Sequence, residues 1–431
     1  MEKDNFTVMR KIIMLFILVI ASLSVHAQNK SKFGITWSGF VKNDFFFDSR
    51  QTVAAREGHF LLWPAPLLAD EYGDDINAGS SFNFLAIQSR LKAAISGPDA
   101  FGAKTSAVIE ADFFAQANDN INLLRMRHAF VKMDWTGFEL LAGQYWNPLF
   151  VTECYPGTVS FNTGTPLQSF ARNPQIRFSY RSSGLLITAA ALSQRDYASR
   201  GVAGVSSSYL RNSGTPDMHL QAMFNTGNSQ DNTAFYIGAG LAYKTIVPRL
   251  ENTVGPPPFS NVYKVDEEVS GLSAIGFAKM ETAPLTVKVQ ARYGENIADV
   301  LAISGYAVRE ITNNITGEQS YTPLRSMSFW AEAHTRGSKL QAGFFGGYFR
   351  NLGTKDAMSG PGNPVYGLGT NIYSLYRLAP RLIINSGSTR LALELEYTSA
   401  AFGENYDTDY MPAATRRVAN LRALLAVYYF F

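Results

Sequence analysis

The run Asn420-Leu421-Arg422-Ala423-Leu424-Leu425-Ala426-Val427-Tyr428-Tyr429-Phe430-Phe431 decides the fold. Leu421, Ala423, Leu425, Val427, Tyr429 and Phe431 fall on one side of an extended backbone, and Asn420 and Arg422 on the other. Side chains of a strand point alternately to opposite faces, so a period of two reads as a strand with one apolar and one wet face. A helix would instead repeat its apolar residues at three- and four-residue spacing.

The same period recurs upstream. Leu85, Ile87, Leu91, Ala93 and Ile95 are interleaved with Gln88, Arg90 and Lys92. Leu285, Val287, Val289, Ala291 and Tyr293 are interleaved with Thr286, Lys288, Gln290 and Arg292. Leu391, Leu393, Leu395 and Tyr397 are interleaved with Ala392, Glu394, Glu396 and Thr398. A soluble sandwich also alternates. Ionisable groups repeated on the polar face of strand after strand suit a water-filled lumen better than a surface sheet over a dry core. Aromatic clusters such as Phe45–Phe47, Phe113–Phe114 and Tyr428–Phe431 gather toward strand ends, as interface girdles do.

Composition closes off other classes. Charged residues are 17% of the 431, below the roughly 25% of soluble domains, while aromatics reach 13%. The mean hydropathy is −0.06, too polar for a bundle of helices that each need about 20 mostly apolar residues. A disordered chain would have few aromatics. A net charge of +3 gives no basic footprint for nucleic acid. The lone Cys154 excludes an intramolecular disulfide and a multi-cysteine metal site.

Residues 1–27 read as a signal peptide: Arg10 and Lys11 precede an apolar run from Ile12 to Leu23, and Val25-His26-Ala27 places cleavage near Ala27-Gln28. Residues 28–431 then form a single domain.

The connections provide the decisive arrangement. From a first strand at Phe33–Asp48, long and short linkers alternate. The long ones are Ser49–Ser80, Asn147–Asn173, Arg195–Pro216, Thr245–Tyr263, Gly294–Pro323, Asn351–Asn371 and Ala400–Ala414. The short ones are Gly97–Gly102, Asp134–Gly137, Ser182–Gly184, Thr226–Asn232, Glu281–Ala283, Thr335–Ser338 and Asn385–Ser388, rich in turn formers. One outer linker, Ala117–Ile121, is shorter than its position demands. Fifteen connections join sixteen strands. The fold class is therefore all-β: a transmembrane antiparallel β-barrel of about 16 strands. A barrel of that size leaves an aqueous channel.

The terminal Val427, Tyr429 and Phe431 resemble the signature that the barrel-assembly machinery reads on Gram-negative outer-membrane proteins. Leu124-Arg125-Met126-Arg127-His128-Ala129-Phe130-Val131 and Leu140-Leu141-Ala142-Gly143-Gln144-Tyr145-Trp146-Asn147-Pro148 resemble the corresponding strands of trimeric porins, specifically DcaP-like and phosphate-type porins. In layout the resemblance covers the whole barrel, in motif only about residues 120–180. Unlike many DcaP-type proteins, this chain starts its first strand shortly after the cleavage position, without a helical extension. The resemblance implies an outer-membrane channel, a homotrimer, and lipid and lipopolysaccharide as surroundings. It also implies passive diffusion of small anionic or neutral solutes, with no cofactor.

By position, Asn147–Asn173 matches the porin loop that folds inward to constrict the lumen, with Glu153, Phe161 and Arg172 as its candidate side chains; a loop capping the mouth is the other reading. The polar phase turns Lys42, Arg90, Lys92, Arg125, Arg127 and Arg422 inward, with Glu110 and Asp112 between them. Arg177, Arg181, Lys288, Arg292, Glu394 and Glu396 complete the candidate pore lining. A net basic side wall points to weak preference for anions such as carboxylates or phosphates. The competing reading is that these charges neutralise one another and stiffen the wall.

His59, His128, His219 and His334 are scattered, without a HExxH or Cys/His cluster, so no metal site is expected. His128 falls on the outward phase. No GxSxG elbow or P-loop is present, and no enzyme activity is expected. Cys154 reads as a small buried filler. The segment Arg56-Glu57-Gly58-His59-Phe60-Leu61-Leu62-Trp63-Pro64 is dense in chemical groups and suits a subunit latch, a ligand contact or a cap equally. The alternative functions are an outer-membrane lipase or protease barrel and a hydrophobic-substrate channel of about 14 strands, whose lumen would be apolar and plugged.

Overall fold

A computed structural model describes residues 33–227 and 233–431. The expected signal segment 1–27 and most of the turn at 226–232 lie outside the described residues.

Sixteen antiparallel staves close into a barrel. They are β1 Gly34–Asp48, β2 (in two pieces, Ser81–Leu85 and Arg90–Ser96), β3 Lys104–Asp112 and β4 Arg125–Trp135. Next come β5 Phe138–Trp146, β6 Arg172–Ser182, β7 Leu185–Leu192 and β8 Asp217–Asn225. Then follow β9 Ala234–Ile246, β10 Val269–Glu281, β11 Leu285–Glu295 and β12 Glu318–Thr335. The last four are β13 Leu340–Thr354, β14 Ile372–Ser386, β15 Thr389–Tyr406 and β16 Pro412–Phe430. The barrel closes where β1 pairs with β16, from Phe40↔Phe430 to Asp48↔Arg422. Closure leaves no stave with an unpaired edge, which hydrocarbon demands.

The outer wall carries the apolar phase. Val41, Phe45, Phe47, Leu91, Ile109, Val131, Leu393, Leu395, Leu425 and Tyr429 are exposed in the isolated chain, while the alternate residues are buried. Tyr429 and Phe431 stand on this lipid-side face.

The wall is uneven in height. β3, β5 and β8 have 9 residues each, close to the 9–11 that cross a bilayer. β12 and β15 have 18 and β16 has 19, so that side rises well above the hydrocarbon at the long-loop end. The expected final long loop, Ala400–Ala414, is accordingly two strands: β15 runs to Tyr406, which pairs with Pro412 of β16. Alternation fails there because Ala400, Ala401 and Phe402 are all buried, so the strand does not read as one. The short linker at Ala117–Ile121 is likewise longer in the structure, spanning 113–124 around a single 3-10 turn at Asn118–Asn120.

The lumen is not an empty tube. Residues 147–171 fold inward, and so does the segment 56–64, whose Phe60, Leu61, Leu62 and Trp63 are buried. Phe60, Phe114, Phe161, Phe170, Trp330, Phe345 and Phe349 join one apolar core inside the barrel. Apolar filling, foreseen for the 14-strand alternative, thus coexists with sixteen staves and a charged wall.

Candidate permeation pathway

The two inward segments are anchored to the tall wall by charged side chains. Glu394 accepts from the backbone N–H groups of Val159 (2.7 Å) and Ser160 (2.9 Å). Glu396 accepts from Asn162 Nδ2 at 2.9 Å. Arg292 donates to Pro166 O (3.0 Å) and Ser169 Oγ (2.9 Å), and Lys288 to Tyr155 O (3.0 Å). Lys42 donates to Val159 O at 3.0 Å. Arg422 grips Asp48 through Nε (2.9 Å) and Nη2 (2.6 Å), and its Nη2 also reaches Gly58 O at 2.7 Å. Every buried polar group here has found a partner on the loop, as burial requires. Lys42, Lys288, Arg292, Glu394, Glu396 and Arg422 point inward as expected. They hold loops, however, and do not line open space, which corrects their assignment as pore lining.

The opposite wall, β2 to β6, borders what remains open. Two stacked cavities of about 610 Å³ and about 460 Å³ run along it and share Val108, Phe130, Tyr145, Phe150 and Thr152 as lining. The larger lies toward the short turns and is lined by Lys132, Glu139, Glu153, Arg177 and Arg181. The smaller is lined by Arg90, Lys92, Glu110, Arg127, His128 and Phe161. Of the expected pore-lining set, Arg90, Lys92, Glu110, Arg127, Arg177 and Arg181 therefore face open space, and Glu153 and Phe161 join them from the inward loop.

Charges along this wall are partly paired. Arg125 Nε and Nη2 meet the two oxygens of Asp112, each at 3.0 Å. Arg127 donates to Glu110 and to Asp112, both at 2.7 Å. Arg90 Nε lies 3.6 Å from Glu110 and has no hydrogen-bond partner. Arg177 is spent on Gln175 Oε1 (2.9 Å) and Trp146 O (2.6 Å). Lys132 and Arg181 both pair with Glu139. Lys92 makes no hydrogen bond or ion pair among the described residues.

Two expectations need correction. His128 faces the lumen, not the lipid, because β4 carries a bulge: Glu110 pairs with His128 and Ala111 with Met126, leaving Arg127 as the extra residue. An extra residue swaps the phase beyond it. Arg172, expected in the constriction loop, is the first residue of β6 and belongs to the wall.

The sequence reading missed the plug role of 56–64 and the arginine that clamps it. Arg377 donates to Thr165 O (2.6 Å), Leu62 O (2.7 Å) and Thr398 Oγ1 (2.8 Å). Its phase on β14, opposite exposed Leu378 and Leu382, is the signal that would have found it. Arg56 Nε donates to Phe114 O at 2.8 Å, and its guanidinium lies over the Phe114 ring, which stacks on Phe161 at 4.2 Å. Cys154 is fully buried against the barrel wall, its thiol 3.4 Å from Ala278 O. Burial pushes that thiol up to about 12, which makes it an inert filler. Among the described residues no cluster of His, Cys, Asp or Glu could hold a metal ion.

No family model and no curated protein matches the chain. Solved structures do. The crystal structure of the outer membrane channel DcaP of Acinetobacter baumannii superposes with a TM-score of 0.66 at 15% identity, covering 95% of this chain and 100% of that one. OmpT, an outer membrane protein of Vibrio cholerae, gives 0.53 at 10% identity, covering 94% and 100%. Its trimer form gives 0.50 at 9% identity, covering 93% and 100%. At these identities the likeness is one of fold: the chain has the barrel of outer-membrane porins, and the resemblance to DcaP-like porins read from residues 120–180 holds at that level.

Proposed function

We propose that this protein is a porin of the Gram-negative outer membrane, a non-enzymatic homotrimer whose protomers pass small hydrophilic solutes by passive diffusion, with weak preference for anions. The observation that carries the reading is the charge inventory of the two cavities. Arg90, Lys92, Arg127, Lys132, Arg177 and Arg181 border them, against Glu110, Glu139 and Glu153. Lys92 and the Nε of Arg90 remain uncommitted. An uncompensated cation in a narrow low-dielectric passage selects ions by sign. Arg and Lys together suit carboxylate and phosphate groups.

The surroundings follow from the same reading. The apolar outer belt takes lipid and lipopolysaccharide as solvent, and the terminal Val427, Tyr429 and Phe431 address the barrel-assembly machinery.

Recording in planar bilayers across a KCl gradient tests this. The expected result is stepwise insertion, closure in three steps, and a reversal potential favouring chloride. Lys92→Ala with Arg90→Ala should move that potential toward cation preference. A wild-type channel that prefers potassium, or that conducts nothing, sinks the reading.

A further inference from the structure

At the outer end of the smaller cavity, two wall arginines take their counter-charge from a loop. Arg172 Nε and Nη2 both donate to Asp196 Oδ2, at 2.9 and 2.6 Å. Arg125 Nη1 lies 3.8 Å from Asp196 Oδ1. Arg125 and Arg172 belong to β4 and β6, whereas Asp196 sits in the connection after β7. That connection is pinched into a small ring by Gln194 and Ser199: Gln194 Nε2 donates to Ser199 Oγ and Ser199 N to Gln194 Oε1, both at 2.9 Å. Asp196 is at the tip of the ring.

The place of this bridge matters. The Arg172 guanidinium lies 5.1 Å from the centroid of the Trp146 ring, which lines the smaller cavity. The bridge is therefore on the outer side of the cavity ceiling, where a solute arriving from the long-loop end would meet it. Arg172 Nη1 is buried without any partner. The site thus has one more donor than the loop carboxylate uses, and an intramolecular ion pair that left a guanidinium N–H unsatisfied was not optimised as a permanent strut. A carboxylate entering from solution could take the place of Asp196 like for like, so the exchange itself exposes no unpaired buried charge.

We propose that Asp196 is a tethered stand-in for the carboxylate of a permeating solute, and that the 194–199 ring swings off Arg125 and Arg172 when such a solute enters. The proposal rests on the anion-porin reading and adds its gate and its solute class.

Wild-type, Asp196→Asn and Asp196→Glu channels are compared in planar bilayers, with succinate as the probe. Asp196→Asn should at least double the conductance in KCl and shift the reversal potential further toward chloride. Its half-blocking succinate concentration should fall about tenfold, as expected when a competitor held at millimolar effective concentration is removed. Asp196→Glu should behave as wild type. An anion-preferring wild type that Asp196→Asn matches in both conductance and block overturns the gate alone. A cation-preferring wild type overturns the porin reading beneath it. Hydrogen exchange on the unmutated protein keeps the test independent of variant folding. Amides of 194–199 should exchange faster with succinate than with equimolar glycerol, and equal rates overturn the proposal.

Discussion

Arg377 shows what a single lumenal charge does in this barrel. Fully buried, it spends its guanidinium on Thr165 O, Leu62 O and Thr398 Oγ1, with Glu396 at 3.3 Å. Removing it leaves two loop carbonyls and a carboxylate without a partner, a loss of about 3–5 kcal/mol. Arg377→Ala is expected to lower by about 5 °C the temperature at which the folded gel band gives way to the unfolded one, and to make single-channel recordings noisier. An unchanged transition would show the clamp to be redundant. At this scale the sequence was legible wherever phase was kept. Lys92, Arg127 and Arg177 point inward because the lipid face must be apolar at every second residue. His128 was not legible, because a bulge leaves no mark in the alternation it interrupts. Phase also says nothing about what an inward side chain touches, so the loop anchors Lys42, Arg292 and Glu394 could not be told from the cavity-facing Lys92.

At the scale of elements, the inward loop is fastened through its backbone. Val159 and Ser160 N–H groups meet Glu394, while the carbonyls of Val159, Thr165 and Leu167 meet Lys42, Arg377 and Ser328. Such a loop stays inside even when many of its side chains change. Replacing 153–165 with a short Gly-Ser linker should raise single-channel conductance several-fold and reduce ion selectivity. Unchanged conductance would mean that the open passage does not run beside this loop. The position and length of the loop were readable from the order of connections. The inward turn of 56–64 was not, because its partners Asn162, Arg377 and Arg422 lie 101 to 364 residues away along the chain and no local pattern announces them.

The whole molecule is a barrel with one low and one tall wall. The connection between β13 and β14 crowns the tall side, and Gly362 within it has open space around it. The turn between β14 and β15 at Gly387–Ser388 lies at the opposite end. An epitope inserted after Gly362 should be stained on intact cells, and one at 387–388 only after permeabilisation. The reverse pattern would invert the orientation. The strand number was readable from the sequence because long and short connections alternate. The difference in wall height was hidden, since outside the hydrocarbon a strand no longer needs an apolar face.

One feature of the closure also bears on the order of events in time. The plug segment 56–64 is among the first parts of the described chain to be made, yet Arg422, 364 residues later, holds Gly58 from the last stave. That stave pairs with the first only when the cylinder shuts. The interior therefore cannot reach its final packing before the seam forms. During assembly the lumen is still loosely filled, and the completed seam is what locks the stopper in place.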